Sequence, residues 1–310
     1  MKQVIAIIGP TASGKTNLSL ALAKELKADI ISLDSMQIYQ KLDIGTAKAS
    51  VEERQTIQHH LIDIVAANVN YSIADFLKDY TDTVNELEAK KQPYILTGGS
   101  LQYLLALWRE DNYTDSIAED AEYRANLQAA YQDYAKDSAD NSQNPVYLKL
   151  CEVDLKRAQQ VHPNDMKRII RALEICKTGC LASEKDPRNL EKSKNDNYLL
   201  FAYNWPREVL YQRINQRVDL MLKAGLLEEA KWVYINRENL STSCLQAIGY
   251  KEFFPYFQAE ISLETAINQL KLNSRHYAKR QLSIMRKLPI NYLDPQTGIA
   301  SQLNFIRQRL

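Results

Sequence analysis

The sequence predicts an α/β fold, a parallel sheet flanked by helices and interrupted by a helical insertion. Three features point there. Apolar strand-like runs alternate with helix-like stripes over the first hundred residues, the pattern of a parallel sheet. Three of those runs end in small or polar residues, at Gly9–Thr16, Asp34–Tyr39 and Thr97–Gln102. The rhythm then breaks near Trp108, where a tyrosine-rich, helix-favouring stretch begins.

The first element, Val4 to Ile8, is unbroken apolar sequence, as expected of a strand buried on both faces. Gly9-Pro10-Thr11-Ala12-Ser13-Gly14-Lys15-Thr16 follows and fits G-x-x-x-x-G-K-[ST]. Backbone N–H groups of such a loop wrap phosphate oxygens, the lysine adds a point charge, and the Thr16 hydroxyl is a Mg²⁺ ligand. Asn17–Ala28 reads as a helix with Leu18, Leu22 and Leu26 on one stripe. Strand, loop and helix in this order aim a helix N-terminus at an anion. The fold class sharpens accordingly to a P-loop NTPase-like sheet, although the loop alone names no reaction.

Asp29–Leu33 is the second strand and closes on Asp34. A carboxylate there can hold Mg²⁺ through water, act as a general base, or simply cap a helix. Gln37 adds an amide able to read an adenine edge, and Tyr39 a ring able to stack on a base. Ser72–Lys90 is a helix, with Ser72 and Asp75 spaced as a capping box. Pro93–Leu96 is the third strand and runs into Thr97-Gly98-Gly99-Ser100. That turn either brings bare backbone and a hydroxyl to a ligand or is a plain tight turn. Ligands of parallel sheets sit beyond the carboxyl ends of the strands, so all three ends should converge.

Arg109–Glu122 is acidic and short of large apolar residues, and 121–160 favours helix around the polar stretch Asp137–Pro145. The expected organisation is a core of residues 1–109 and 161–310 with an insertion at 110–160. Pro163 precedes a helix over Asn164–Thr178, whose apolar face is Ile169, Ile170, Leu173 and Cys176, with Gly179 near its end. Ser183–Asn197 reads as an exposed loop, Tyr198–Tyr203 as a strand, and Pro206–Lys223 as a helix stopped by Gly225.

The 310 residues, 45% hydrophobic, suit one large domain or two smaller ones. A net charge of +1 predicts no polyanion partner from bulk charge, so a nucleic-acid face must arise from clustering. Four cysteines make no disulfide scaffold at this length, and Cys176-x-x-x-Cys180 lacks a second pair for zinc. Adjacent His59 and His60 point apart and have no evident third ligand, which favours a structural role. The N-terminal apolar run stops at Gly9-Pro10, too early for a signal segment, and no stretch nears the ~20 apolar residues of a membrane span. A soluble, cytoplasmic monomer is expected. Arg213 and Arg217 lie one helical turn apart, placed to reach a polyphosphate or to sit on the surface. Lys271, Arg275, Lys279 and Arg286 share a stripe flanked by Arg280 and Lys287, with no acidic residue between Lys271 and Lys287. Such a face can follow a phosphate backbone. Lys167-Arg168-x-x-Arg171 is a second basic run.

Taken together these segments resemble the tRNA dimethylallyltransferases, also called tRNA isopentenyltransferases, over nearly the whole length. The resemblance rests on Gly9–Thr16, Asp34–Tyr39, Asp43–Lys48, His59–Asp63, Tyr71–Phe76 and Gly98–Ser100. In the second half it rests on His162–Asp165, Arg168–Glu174, Arg217–Met221, Ala247–Glu252 and Tyr277–Gln281. Ser100 stands where the family usually has Thr, Ser283-Ile284-Met285 where it has Thr-Trp-Phe, and Gln58 and Leu155 each replace a usual Pro. The resemblance implies transfer of a dimethylallyl group from dimethylallyl diphosphate to N6 of adenine-37, beside the tRNA anticodon, with release of diphosphate. It implies a catalytic set of Asp34, Lys15, Ser100 and Arg217, with Asp34 the base. Gly9, Pro10, Thr11, Ala12, Ser13, Gly14, Lys15 and Thr16 would bind the diphosphate, with Mg²⁺ held through Thr16. The tRNA would meet Asp34, Ser35, Met36, Gln37, Ser100, Lys167, Arg168, Ile169, Ile170, Arg171, Arg275, Lys279 and Arg280. The insertion would grip the anticodon stem-loop. The competing readings are an adenylate isopentenyltransferase, a P-loop small-molecule kinase, and a nucleotide-controlled RNA-binding switch.

Overall fold

In the computed structural model, residues 3–109, 120–137, 143–184 and 197–310 are described. The chain forms two compact units, one of residues 1–111 with 193–310 and one of residues 112–192. In chain order the elements are β1 (Val4–Ile8), α1 (Lys15–Leu26), β2 (Asp29–Leu33), α2 (Val51–Thr56), β3 (His59–His60), α3 (Ile73–Ala89), β4 (Tyr94–Gly98) and α4 (Leu101–Arg109). Then come α5 (Ala121–Asp137), α6 (Pro145–Val153), α7 (Leu155–Ala158) and α8 (Met166–Lys177). The chain continues with β5 (Tyr198–Tyr203), α9 (Arg207–Lys223), α10 (Leu226–Asn236), α11 (Thr242–Leu245), α12 (Phe254–Phe257), α13 (Leu263–Met285), β6 (Ile290–Leu293) and α14 (Ile299–Arg307).

The first unit is built on a six-stranded sheet of order β3-β2-β4-β1-β5-β6, with every pair parallel. The unbroken apolar runs become its central strands, as both-face burial requires. Leu18 and Leu22 of α1 pack on Ile5, Ile7, Ile30, Ile95 and Phe201. A second cluster joins Tyr39 and Leu42, which follow β2, to Val218, Leu226, Tyr250, Phe253 and Leu270 from the C-terminal helices. Because the strands run parallel in register, Ile8, Leu33 and Gly98 end side by side. Gly98 is obligatory there, since a Cβ would fall 2.1 Å from the Leu33 carbonyl oxygen. The capping box of Ser72 and Asp75 forms as the spacing predicts, each backbone N–H bonding the other's side chain. No helix among the described residues is long and apolar enough to cross a membrane.

The second unit has its own core, formed by Leu127, Val146, Leu150, Ile169, Ile170 and Leu173. This corrects the expected boundary at 160. The apolar face of α8 packs on α5 and α6, so the unit runs on to residue 192. Arg124 fixes the arrangement through both carboxylate oxygens of buried Glu174, at 2.6 and 2.9 Å. The acidic stretch after Arg109, the polar residues 138–142 and most of the expected loop at 185–196 lie outside the described residues. Strands β3 and β6 had no sequence signal of their own. At the two positions where aromatics are usual, Met285 is fully buried and Ile284 half-buried.

Candidate active site

The loop after β1 takes its shape from left-handed backbone at Ala12 (φ 61°) and Gly14 (φ 99°). Alternation of this kind turns successive N–H groups toward one side and makes an anion-binding concavity. Gly14 is also the N-cap of α1, and no side chain caps that end. The first-turn N–H groups of α1 are therefore available to a ligand. Lys15 Nζ donates to Pro10 O at 2.9 Å. Its pKa is lowered to about 8, chiefly by burial, then by Arg217, against the opposing charge of Asp34. The Ser13 hydroxyl is buried in the same loop and has no hydrogen-bond partner among the described residues.

Asp34 stands at the end of β2. Its Oδ1 accepts from the backbone N–H of Met36 at 2.9 Å and of Gln37 at 3.3 Å, so it caps the turn that follows. It also faces cations. Burial raises its carboxyl pKa, while those two N–H groups and the charges of Lys15 and Arg217 pull it back. Arg217, on α9, is pulled down by burial and by neighbouring Arg213 and supported by Asp34. Ser100, after β4, accepts from the Ser35 N–H at 2.9 Å and lies 3.2 Å from the Ser35 hydroxyl. Lys15, Asp34, Ser100 and Arg217 thus meet at the carboxyl end of the sheet, brought there by β1, β2, β4 and α9.

Two residues of α13 complete this wall; they bound the Tyr277–Gln281 segment of the resemblance, where neither was given a role in the site. Gln281 Nε2 donates to Gly99 O at 2.8 Å. One turn earlier, the Tyr277 hydroxyl lies beside Ser100 and Asp34, and burial and the charge of Asp34 push its pKa up to about 12. Their spacing of four residues was the available signal, since it places both on one helix face.

Several expected contacts are redirected. Both amide hydrogens of Gln37 are engaged, with Thr46 O at 3.2 Å and Ala47 O at 3.3 Å, and its oxygen accepts from Ser32 at 3.2 Å. These bonds brace the turn after β2. Tyr39 is 0% exposed, so its ring has no open face. Ile169 and Ile170, 0% and 5% exposed, are core residues of the second unit and cannot touch RNA with their side chains. Arg171 pairs with Glu174 at 3.1 Å and Arg168 with Asp165 at 3.0 Å, whereas Lys167 is exposed. On α13, Lys271 is paired with Asp219 at 2.6 Å and Arg275 bonds Asn215 at 2.7 Å, leaving Lys279, Arg280, Arg286 and Lys287 as the exposed cations. His59 bonds Ile57 O and His60 bonds Asp29, both at 2.7 Å, in keeping with structural roles.

The donors suit Mg²⁺ in one particular way. No cluster of three His, Cys, Asp or Glu side chains that would hold a metal unaided occurs among the described residues. Mg²⁺ takes few protein oxygens and completes its shell with phosphate and water. The Thr16 hydroxyl on the first turn of α1, with Asp34 nearby in the same site, fits a metal that arrives with a phosphate ligand.

Comparison with known proteins places this geometry in a lineage. Residues 37–288 match the model of a family described as IPP transferase. The chain is 41% identical over 303 residues to the tRNA dimethylallyltransferase of Lactobacillus delbrueckii subsp. bulgaricus, covering 96% of this chain and 94% of that protein. It is 42% identical over 301 residues to the tRNA dimethylallyltransferase of Bacillus anthracis, covering 96% and 92%. The crystal structure of the full-length tRNA isopentenylpyrophosphate transferase of Bacillus halodurans aligns with a TM-score of 0.71 at 38% identity, over 100% of this chain and 97% of that one. A eukaryotic dimethylallyltransferase captured acting on tRNA aligns with a TM-score of 0.79 at 29% identity, over 100% and 77%. The chain is therefore a member of the IPP transferase family.

Proposed function

We propose that this protein transfers a dimethylallyl group from dimethylallyl diphosphate to N6 of adenine-37 in tRNA and releases diphosphate. The observation that carries the proposal is a single carboxylate, Asp34, held among Lys15, Arg217 and the phosphate loop. An exocyclic adenine amine is a weak nucleophile because its lone pair is delocalised into the ring. Asp34 accepts a hydrogen bond from N6 and takes its proton as the C–N bond forms. Burial raises the basicity of that carboxylate, which suits the task. The allylic C–O bond breaks in the same event, and its electron pair leaves with the diphosphate. The loop N–H groups, Lys15, Ser100 and Arg217 offset the growing negative charge. Mg²⁺ bound through Thr16 would supply Lewis-acid neutralisation of the diphosphate oxygens.

A macromolecular acceptor is supported by the exposed Lys279, Arg280, Arg286 and Lys287 and by the second unit with its exposed Lys167 and Arg168. A free nucleotide needs neither. The test is mass spectrometry of an anticodon-loop fragment after incubation of tRNA with the enzyme, dimethylallyl diphosphate and Mg²⁺. The expected result is a gain of one C5H8 unit on a single adenine. An unchanged fragment, or conversion of ATP to ADP in its place, would reject the proposal.

A further inference from the structure

The phosphate loop is held from outside by side chains that the chemistry above does not use. Trp205 Nε1 donates to Ser13 O at 2.8 Å, and Arg213 Nε donates to Ala12 O at 2.8 Å. The two donors stack, with the guanidinium 4.4 Å from the Trp205 ring centroid. Tyr203 extends this wall, since a Cβ on Gly14 would stand only 3.4 Å from its ring. The Tyr203 hydroxyl donates to Gln302 Oε1 at 2.6 Å, and buried Gln302 is itself fixed through Thr297 O at 2.7 Å.

A trans peptide is planar, so its C=O and N–H point in opposite directions. Fixing Ser13 O outward directs the Gly14 N–H inward, and fixing Ala12 O holds the next peptide so that the Ser13 N–H closes the loop on Pro10 O at 3.3 Å. Ala12 needs such a hold, because left-handed backbone is unfavourable for a residue with a Cβ. We infer that Trp205 and Arg213 are positioning residues for the diphosphate, acting through the orientation of the loop peptides. This rests on the loop being a diphosphate cradle, as proposed above.

Trp205→Phe removes the N–H donor and keeps a ring for Arg213 to stack on. Loss of one such hydrogen bond corresponds to about ten-fold in affinity. The KM for dimethylallyl diphosphate and the Kd for inorganic diphosphate with Mg²⁺ should each rise about ten-fold. The tRNA affinity should stay within about two-fold, a split that general destabilisation would not produce. Arg213→Lys keeps the charge, loses the Nε donor, and should show the same split; it carries the test should Trp205→Phe not fold. Unchanged KM and Kd in the folded variants would overturn the inference, as would a uniform loss of kcat, KM and tRNA binding. Failure of the unsubstituted enzyme to bind diphosphate would instead reject the cradle, and the inference with it.

Discussion

Asp34 divides its two oxygens between two tasks. Oδ1 takes the turn N–H groups, while Oδ2 receives no hydrogen bond among the described residues. Asp34→Asn keeps an acceptor for the cap and removes the base. Prenyl transfer should fall about 10²–10⁴-fold with diphosphate binding and thermal midpoint preserved, as single-turnover assays and calorimetry would report. Asp34→Ala should lose the cap as well, at about 1 kcal/mol of stability. The pH profile follows from the same residues. Only the ionised carboxylate accepts a proton, and its pKa is raised, so kcat/KM climbs with pH through a limb above the ordinary carboxylate range. Lys15 loses its charge above about 8 in the free enzyme, so kcat/KM for the donor should decline beyond that pH. Asp34→Asn should erase the acid limb and leave the basic one. Arg217→Ala should harm donor use about 10²-fold, read as kcat/KM for dimethylallyl diphosphate, without altering tRNA affinity.

At the scale of elements, α13 serves three environments. Ala266, Leu270, Ala278 and Met285 are buried, Tyr277 and Gln281 face the site, and Lys279, Arg280 and Arg286 face solvent. Lys279→Ala with Arg286→Ala should weaken tRNA binding and flatten its salt dependence by about 0.7–0.9 in log–log slope for each phosphate no longer neutralised. Lys271→Ala should change neither, because Lys271 already pairs with Asp219. Filter binding across a salt series distinguishes the two. The stripe was legible in the sequence from its spacing. Its division was not, because Asp219 and Asn215 lie on α9 and only packing brings them across. Gln37 shows the same limit. Its type and place suited base recognition, but the carbonyls that claim it follow a turn held elsewhere. Glu229 accepts from the N–H groups of Asp43, Ile44 and Gly45 at 2.9–3.0 Å and from the Tyr250 hydroxyl at 2.7 Å. The strand ends of the proposed site, by contrast, were readable because apolar runs feed directly into Gly9, Asp34 and Gly98-Gly99-Ser100. There, identity and position are fixed by one short segment.

At the scale of the molecule, each unit owns a core. The cluster around Ile169 and Ile170 contains residues of the second unit alone. Unfolding should depart from two-state behaviour, with a calorimetric enthalpy exceeding the van't Hoff value. Ile170→Ala, a large-to-small change in that core, should destabilise by about 2–5 kcal/mol and move one component while leaving the other in place. The boundary near residue 192 was hidden in the sequence because the face of α8 is apolar in the same way whichever partner it packs on.

The strand that launches the phosphate loop has a neighbour that arrives late. Val4 pairs with Tyr198, and the whole second unit is synthesised between them. At about 5–20 residues per second, a ribosome needs roughly 10–40 s to travel from one to the other. Throughout that interval one edge of the nascent sheet is unpaired, an invitation to aggregation. Production of this protein should accordingly depend on translation speed through its middle third and on chaperones that shelter the waiting edge.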